Sequence, residues 1–350
     1  MRLFNRTSGR ALVASALVSA LASAMSLIPV AAQAEVLKVQ TSFNASHISL
    51  NRLNEQWVPK LKEMTEGRIE LKLLPIRAVV PHRETPEAVS MGILDGDLTA
   101  TSYFAGMDPA FALMGDLTAG YQDPAQVQAF CMEGGGKQLL QKLYDEFMSG
   151  IHVVGCSSEK SEAFVSKVPI HGVDDLEGLK IRSPEGLAAD VFRRAGATPV
   201  SLPGSEVYTA LEKNIIDAAD SSAYANNDAS GMHKVAKYPL YPGIHSTPFM
   251  QFTLSDMTWQ RLSEDDRQAL NKWFVMAYDD LRQYLDARDK QLVARDKAEG
   301  ELTIIDWSDE ERARFREIAR QSWQAFAEAS PLAQEVYDAH IAFMRDRGLL

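Results

Sequence analysis

The sequence predicts an α/β protein with two lobes. Strand and helix patterns alternate in two separate stretches, 36–104 and 156–248, and an unusually long helical pattern follows at 258–299. Such alternation is typical of parallel sheets with helices on both faces. Because no proline- or glycine-rich linker separates the stretches, we expect a hinged pair of lobes rather than independent domains.

The first residues predict export. Three arginines precede an apolar run at 11–30, and Ala-Gln-Ala at 32–34 is a small-x-small cleavage site. This order is typical of a secretory signal peptide, so we expect residues 1–34 to be removed. A membrane anchor helix is the alternative, since the run is long enough to span a bilayer. With the signal peptide removed, the chain is expected to be free in an exported compartment.

Three strands and two helices are predicted next. Alternating β-rich residues predict strands at 36–43, 68–75 and 97–104. Apolar residues at helical spacing predict helices at 50–67 and 85–96. The resulting order, strand–helix–strand–helix–strand, predicts a parallel sheet.

The middle of the chain repeats this pattern. A helix interrupted at the glycines of 134–136 comes first. Strands and helices then alternate, and the predicted strands are 151–158, 162–167, 179–184, 198–202 and 215–222. A second α/β lobe is therefore expected at about 156–248.

A strand at 249–256 is predicted to precede the long helix. At 1.5 Å per residue, the pattern at 258–299 would extend roughly 60 Å, more than the width of a small lobe. We therefore expect it to lie along both lobes, with a bend or break near 286–290. The chain is predicted to close with a short strand at 302–307 and two helices, 309–329 and 331–347.

The charge of the chain limits its partners. The net charge is −11, and it becomes −14 from residue 35 onward because residues 1–34 contain three arginines and no acidic residue. This balance argues against nucleic acid and anionic membranes as partners. A small anionic ligand remains compatible, because one local cation can outweigh a distant, diffuse field.

Cys131 and Cys156 are the two cysteines of the chain. In an oxidising compartment they can form one disulfide, or they can remain separate buried thiols. The sequence leaves both possibilities open.

Motifs for catalysis are absent from the sequence. It contains no GxSxG, HExxH or GxGxxG, and its seven histidines show no metal-ligand spacing. We therefore expect no catalytic residues and no cofactor. A secreted α/β enzyme acting on small acids is the alternative, but it would require a nucleophile–base or metal constellation.

Several motifs together resemble one protein family. They are "GLKIRSP" at 178–184, "GATPVSLP" at 196–203, "EVYTALEKNIIDAAD" at 206–220, "GMHKVAKYPLYPG" at 231–243 and "SYFAGMDPAF" at 102–111. This order is similar to that of the DctP-type substrate-binding proteins of tripartite ATP-independent periplasmic (TRAP) transporters, in particular the branch that binds 2-oxo acids.

The resemblance implies a two-lobed type II periplasmic binding fold, a Venus flytrap that closes on a ligand, with a long helix spanning both lobes. Lobe I would comprise 35–155 and be completed by about 249–300, lobe II would comprise 156–248, and 301–350 would pack on the lobes. The expected function is capture of a small organic acid anion in the periplasm and its delivery to TRAP membrane permease subunits. A carboxylate, a hydroxylated carboxylate and a sulfonate are all open, and a sensor receptor is the alternative recipient.

Arg182 corresponds to the anion-binding arginine of that family. Independently of the resemblance, its planar guanidinium offers paired donors that match both oxygens of a carboxylate. Closure of the lobes would exclude water and strengthen this pairing. The alternative is an internal ion pair with a nearby acid such as Glu185.

Asp220 falls where the 2-oxo-acid branch often has a glutamate that helps to hold a metal ion. A second metal-ligating glutamate of that branch would fall near Ser246, so no metal is expected in the ligand site. We expect Asp220, Ser221, Ser222 and Asn226 to contact ligand hydroxyls. Capping of turns is the alternative role for the serines and the asparagine.

Further candidates follow predicted strands. Tyr103 and Phe104 come at the carboxyl end of the third strand, where open sheets bind ligands, although both can instead be core aromatics. Asn44 lies in the loop after the first strand, as does His47. By the resemblance, Ser158 falls where relatives carry a polar ligand residue. Near the second hinge is His245, which can bind ligand or serve a structural role.

Overall fold

The computed structural model describes residues 34–244 and 246–350. The expected signal peptide at 1–34, apart from Ala34, and the candidate His245 lie outside the described residues. Within the described residues no helix combines the length and the apolar character needed to cross a bilayer.

The described chain forms nine strands in two sheets. The strands are β1 Glu35–Thr41, β2 Ile69–Leu74, β3 Gly96–Ala100, β4 Ile151–Ser157, β5 Val165–Ser166, β6 Lys180–Ser183, β7 Thr198–Ser201, β8 Ala218–Ala219 and β9 Met250–Ser255. The first sheet has the order β2-β1-β3-β9-β4, and the second has the order β5-β8-β6-β7.

Fourteen α-helices cover most of the remaining described residues. They are α1 Ile48–Arg52, α2 Val58–Met64, α3 Thr85–Ser90, α4 Pro109–Gly115, α5 Pro124–Glu133, α6 Gly136–Phe147, α7 Leu187–Arg194, α8 Val207–Glu212, α9 Tyr224–Ala229, α10 Met232–Val235, α11 Asp256–Arg261, α12 Glu264–Glu299, α13 Asp309–Ala327 and α14 Pro331–Asp346. A π-helical turn, Leu53–Trp57, joins α1 to α2 and makes one continuous helical segment, as the pattern at 50–67 predicts.

The sheets are mixed rather than wholly parallel. β1 pairs in parallel with β2 and β3, as expected from strand–helix alternation. However, β9 is inserted antiparallel between β3 and β4. The chain returns to the first sheet only after completing the second, so β9 enters from the opposite end. In the second sheet, β6 pairs in parallel with β7 and β8, and β5 is antiparallel.

The interrupted helix of the middle region has clear local causes. Asp123 and Gln126 form a capping box at the start of α5, with Pro124 in the first turn. Gly135 has φ of +84°, a left-handed conformation that a side chain would disfavour, and α6 begins immediately after it. Cys131 in α5 and Cys156 in β4 form a disulfide, which answers the question that the sequence leaves open.

The long helix α12 has 36 residues and contacts both lobes. Ser263 caps it by accepting a hydrogen bond from the main-chain nitrogen of Asp266 at 3.2 Å, and Gly300 with φ of +69° ends it. It packs against α2 and β4 beside the first sheet and against α9 beside the second. The predicted break at 286–290 is wrong, because the helical break lies instead at Leu262–Ser263.

The C-terminal helices close the chain as predicted, but the strand expected at 302–307 does not form. Ile305 makes an isolated bridge with Leu240, and the main-chain nitrogens of Thr303 and Ile305 donate to the neighbouring segment 237–239, which is not itself a strand. α13 packs against α4 and α7, and α14 packs against α4, α6 and α13. The C-terminal segment therefore braces elements beside both sheets.

Candidate functional site

A cleft lies between the two sheets, at the carboxyl ends of several parallel strands. Its larger part has a cavity volume of about 130 Å³ and the adjoining part about 50 Å³. Five residues line both parts: Ala100, Tyr103, Glu162, Arg182 and Pro248. This position agrees with the rule that open α/β sheets bind ligands outside the carboxyl ends of their strands.

Arg182 lies near the end of β6, the strand flanked by β7 and β8. Its side chain is held in place by main-chain acceptors: Nε donates to the carbonyl oxygen of Leu202 at 2.9 Å, and Nη1 donates to that of Asp220 at 2.8 Å. The residue is only 5 % exposed. Across residues 34–244 and 246–350, no carboxylate forms an ion pair with it. A buried cation in this state is costly unless something compensates its charge.

The alternative partner, Glu185, is engaged elsewhere. Its carboxylate pairs with Arg83 at 3.2 Å and accepts a hydrogen bond from Ser201 Oγ at 3.0 Å. Both side chains of this ion pair are largely exposed. An internal Arg182–Glu185 ion pair is therefore wrong for this structure.

Lys160 and Glu162 also line the cleft, although the sequence patterns do not single them out. Lys160 Nζ lies 3.1 Å from Glu159 Oε1 and 4.0 Å from Glu162 Oε1. Burial, together with the charge of Asp220 and a hydrogen bond to it, raises the pKa of Glu162 well above its usual range, while Lys160 and Arg182 act in the opposite direction. The available signal is the charged run "SSEKSE" at 157–162, directly after a strand end.

Asp220 contacts Arg182 through main-chain hydrogen bonds and is not among the residues that line the cleft. Its main-chain nitrogen donates to the carbonyl oxygen of Arg182 at 3.0 Å, and its own carbonyl accepts from the guanidinium. Its residue exposure is 1 %. Direct contact of Asp220 with ligand hydroxyls is therefore not supported, because its side chain is buried and is hydrogen-bonded to Glu162.

Ser221, Ser222 and Asn226 line the larger part of the cleft, as expected. Asn226 Oδ1 accepts from the main-chain nitrogen of Ile48 at 3.2 Å, and Ser222 Oγ lies 3.4 Å from His47 Nε2. These two contacts join the second-sheet side of the cleft to the loop and helix after β1.

Asn44 and His47 line the opposite side of the cleft. The His47 ring stacks on Phe43 with 4.4 Å between ring centroids. Burial and the nearby charge of Lys160 lower the pKa of His47 to about 3, so its imidazole is neutral at ordinary pH. His47 can therefore contribute a hydrogen bond but not a charge.

Of the two aromatic candidates, only Tyr103 lines the cleft. It lies in a 3₁₀ turn, Thr101–Phe104, directly after β3, and the edge of its ring contacts His82 with 4.2 Å between centroids. Phe104 instead belongs to the apolar core. The expectation that Phe104 lines the cleft is wrong, because the turn directs neighbouring side chains to opposite sides.

Ser158 is also outside the cleft lining. It is fully buried, its Oγ donates to the carbonyl oxygen of Lys160 at 3.2 Å, and its own carbonyl accepts from Arg282 at 3.2 Å. It therefore shapes the loop that presents Lys160 and Glu162. The expected direct contact of Ser158 with ligand is wrong for this structure.

The cleft does not offer a favourable metal site. Glu162 faces it, but the cations Lys160 and Arg182 act on the same carboxylate. Ser246, near which the resemblance implies a metal-ligating glutamate, donates from Oγ to Asp116 Oδ2 at 2.5 Å. Two neighbouring cations would repel a metal ion, so we find no fit between these residues and a metal-assisted site.

Comparisons with known proteins agree on one family. Residues 39–330 match the model for bacterial extracellular solute-binding proteins, family 7. A monocarboxylate 2-oxoacid-binding periplasmic protein of Nostoc sp. is 27% identical over 287 residues, which cover 82% of this chain and 78% of that protein.

Solved structures agree with the fold. A TRAP periplasmic solute-binding protein of Rhodobacter sphaeroides is 42% identical, with a TM-score of 0.75 over 90% of this chain and 99% of that chain. A TRAP solute-binding protein of Bordetella bronchiseptica, solved with copurified calcium and picolinate, has a TM-score of 0.79 at 24% identity over 90% of this chain and 93% of that chain. At that identity the second match supports the fold alone. The chain therefore belongs to the bacterial extracellular solute-binding proteins of family 7 and is a periplasmic solute-binding protein of the TRAP transporter type.

Proposed function

We propose that this protein binds a small organic acid anion in the cleft, with Arg182 as the residue that pairs with the anionic group, and delivers it to TRAP permease subunits. The observation that carries the proposal is the state of Arg182, which is buried and facing the cleft without a carboxylate partner in the described chain. A ligand carboxylate would supply the missing negative charge. The two main-chain hydrogen bonds preorganise the guanidinium, which lowers the entropic cost of binding.

The remaining cleft residues favour a ligand with hydroxyl or oxo groups. Asn44, Tyr103, Ser221 and Asn226 present neutral polar groups around the charged end of the cleft. A hydroxy or oxo carboxylate would satisfy both sets of groups, and one relative is named as a 2-oxoacid-binding protein. A sulfonate could use the same charge pairing. Asp220 acts as a positioning residue for Arg182, and no metal ion takes part.

The lobes in this proposal follow the expected boundaries. Lobe I comprises 35–155 completed by 249–300, lobe II comprises 156–248, and 301–350 packs on both. Support comes from the strands, since β1–β4 and β9 form one sheet and β5–β8 the other. The Asn226–Ile48 hydrogen bond then crosses between lobes, and it would break when the cleft opens.

A screen of organic acids tests this function. Thermal unfolding of the protein from residue 35 onward would be measured with hydroxy, oxo and sugar acids, sulfonates, and neutral analogues in which the acid is replaced by an amide. A ligand that binds only the folded state raises the melting temperature. We expect at least one acid to do so while its amide does not. Equal shifts with acid and amide, or turnover of an acid by the protein, would contradict the proposal.

A further inference from the structure

A second polar cluster lies outside the ligand cleft, where α9, α10 and α12 meet. Asp228, His233 and Asp296 each offer one ligand atom, and these atoms lie within 4.8 Å of one another. His233 Nδ1 is 3.8 Å from Asp228 Oδ1. Asp228 and His233 lie on the consecutive helices α9 and α10, and packing against α12 brings the distant Asp296 to them.

His233 is the unusual member of this cluster. It is 5 % exposed, and among residues 34–244 and 246–350 neither of its ring nitrogens has a hydrogen-bond partner, since Asp228 Oδ1 lies 3.8 Å from Nδ1. Buried polar atoms are nearly always paired, and leaving one unpaired costs about 1–3 kcal/mol. The side chain thus offers an unused lone pair towards two carboxylates.

The two carboxylates already share a cation. Arg295 donates from Nη2 to Asp228 Oδ1 at 2.8 Å and from Nε to Asp296 Oδ1 at 2.7 Å. Tyr224 also donates to Asp296, at 2.7 Å. Asp296 is nearly fully buried, whereas the Arg295 side chain is 41% exposed and can move into solvent. The two carboxylates therefore need a nearby positive charge. The Arg295 guanidinium supplies it now, and another cation could replace it.

We propose that Asp228, His233 and Asp296 form a site for a divalent transition metal such as Zn²⁺, in which the metal takes the place of the Arg295 guanidinium. In a tetrahedral zinc site the donor atoms are about 3.3 Å apart, so donor atoms that now lie within 4.8 Å of one another would close by up to about 1.5 Å when the metal replaces the guanidinium. One imidazole and two carboxylates leave the fourth position to water. An imidazole ligand favours zinc, cobalt or nickel over calcium and magnesium.

A metal here would connect with the ligand cleft through α9. The helix carries Asp228 near one end and Asn226, which lines the cleft, one half-turn earlier. It is already tied to α12 by a hydrogen bond from the main-chain nitrogen of Ala225 to Asp289 Oδ1 at 2.7 Å. A bound metal would add a second, stronger tie and hold the second side of the cleft more rigidly on the long helix.

Equilibrium dialysis against Zn²⁺ with elemental analysis tests the site. The wild-type protein, from residue 35 onward, is expected to bind one zinc ion per chain. His233→Ala should weaken binding at least tenfold, whereas Arg295→Gln should strengthen it because the competing cation is gone. Bound Co²⁺ should show the visible absorption of a tetrahedral site, and Zn²⁺ should raise the melting temperature of the wild type but not of His233→Gln.

Two matched control variants distinguish zinc binding at this cluster from zinc binding elsewhere on the protein. His152→Gln changes a half-buried histidine that stacks on Trp259, and it should leave zinc binding unchanged. Glu162→Gln removes a carboxylate that lines the ligand cleft, and it should also leave zinc binding unchanged. Absence of stoichiometric zinc in the wild type, or zinc binding that survives both His233 variants, would overturn the proposal. So would loss of zinc binding in Glu162→Gln.

Discussion

Replacement of Arg182 by lysine keeps the positive charge but removes the geometry on which the proposed function depends. A lysine ammonium cannot present two parallel donors to a carboxylate, nor can it reproduce the hydrogen bonds to the carbonyls of Leu202 and Asp220. Loss of one charge-assisted hydrogen bond to the ligand costs about 1.5–3 kcal/mol. Because every 1.4 kcal/mol is a factor of ten, affinity should fall roughly 10- to 150-fold.

Titration calorimetry with the strongest acid from the thermal screen measures this loss. The melting temperature of the ligand-free variant is measured alongside, so that loss of the fold is distinguished from loss of affinity. Arg193→Lys is the matched control, because Arg193 is exposed on α7 and pairs with Asp190 at 3.2 Å. A change in affinity of less than threefold for Arg182→Lys, with a normal melting temperature, would refute the role of the guanidinium.

Three further outcomes follow from the described contacts. As pH rises through the raised pKa of Glu162, its side chain becomes negatively charged and should repel an anionic ligand, so calorimetric affinity should fall in the wild type and stay flatter in Glu162→Gln; equal slopes would contradict this. Burial raises the pKa of Asp97 from 3.8 to about 6, so its stabilisation is fully present below pH 3.8 and is lost as pH rises through 6. Urea unfolding should show a decline of about 3 kcal/mol that Asp97→Asn removes, and parallel pH profiles would count against that cause. Replacing Cys131 and Cys156 together by alanine opens a loop with a sequence separation of 25 and should lower the free energy of unfolding by about 3 kcal/mol, whereas an unchanged urea midpoint would contradict this effect.

Local patterns predict most of the secondary structure because they depend on residues close together in the chain. The period of apolar residues identifies β1, β2 and α12, and Gly135 marks the break between α5 and α6. The same reasoning misplaces the break in the long helix. There the cap at Ser263 decides where α12 begins. The stretch 286–290 remains helical because Asp289 is buried against α9, where it accepts from the main-chain nitrogen of Ala225, while the other charged side chains of the stretch are exposed.

The sequence alone determined the alternation of strands and helices, the family motifs and the place of Arg182 at the end of a strand, because each is written in a short stretch. Only the tertiary structure decided that β9 runs antiparallel, that Phe104 faces the core and that Lys160 and Glu162 face the cleft. It also joined Cys131 to Cys156 and brought Asp296 to Asp228 and His233. Strand direction, side-chain orientation, the disulfide and the side-chain cluster all depend on contacts between residues far apart in the chain, and a local sequence pattern does not contain that information.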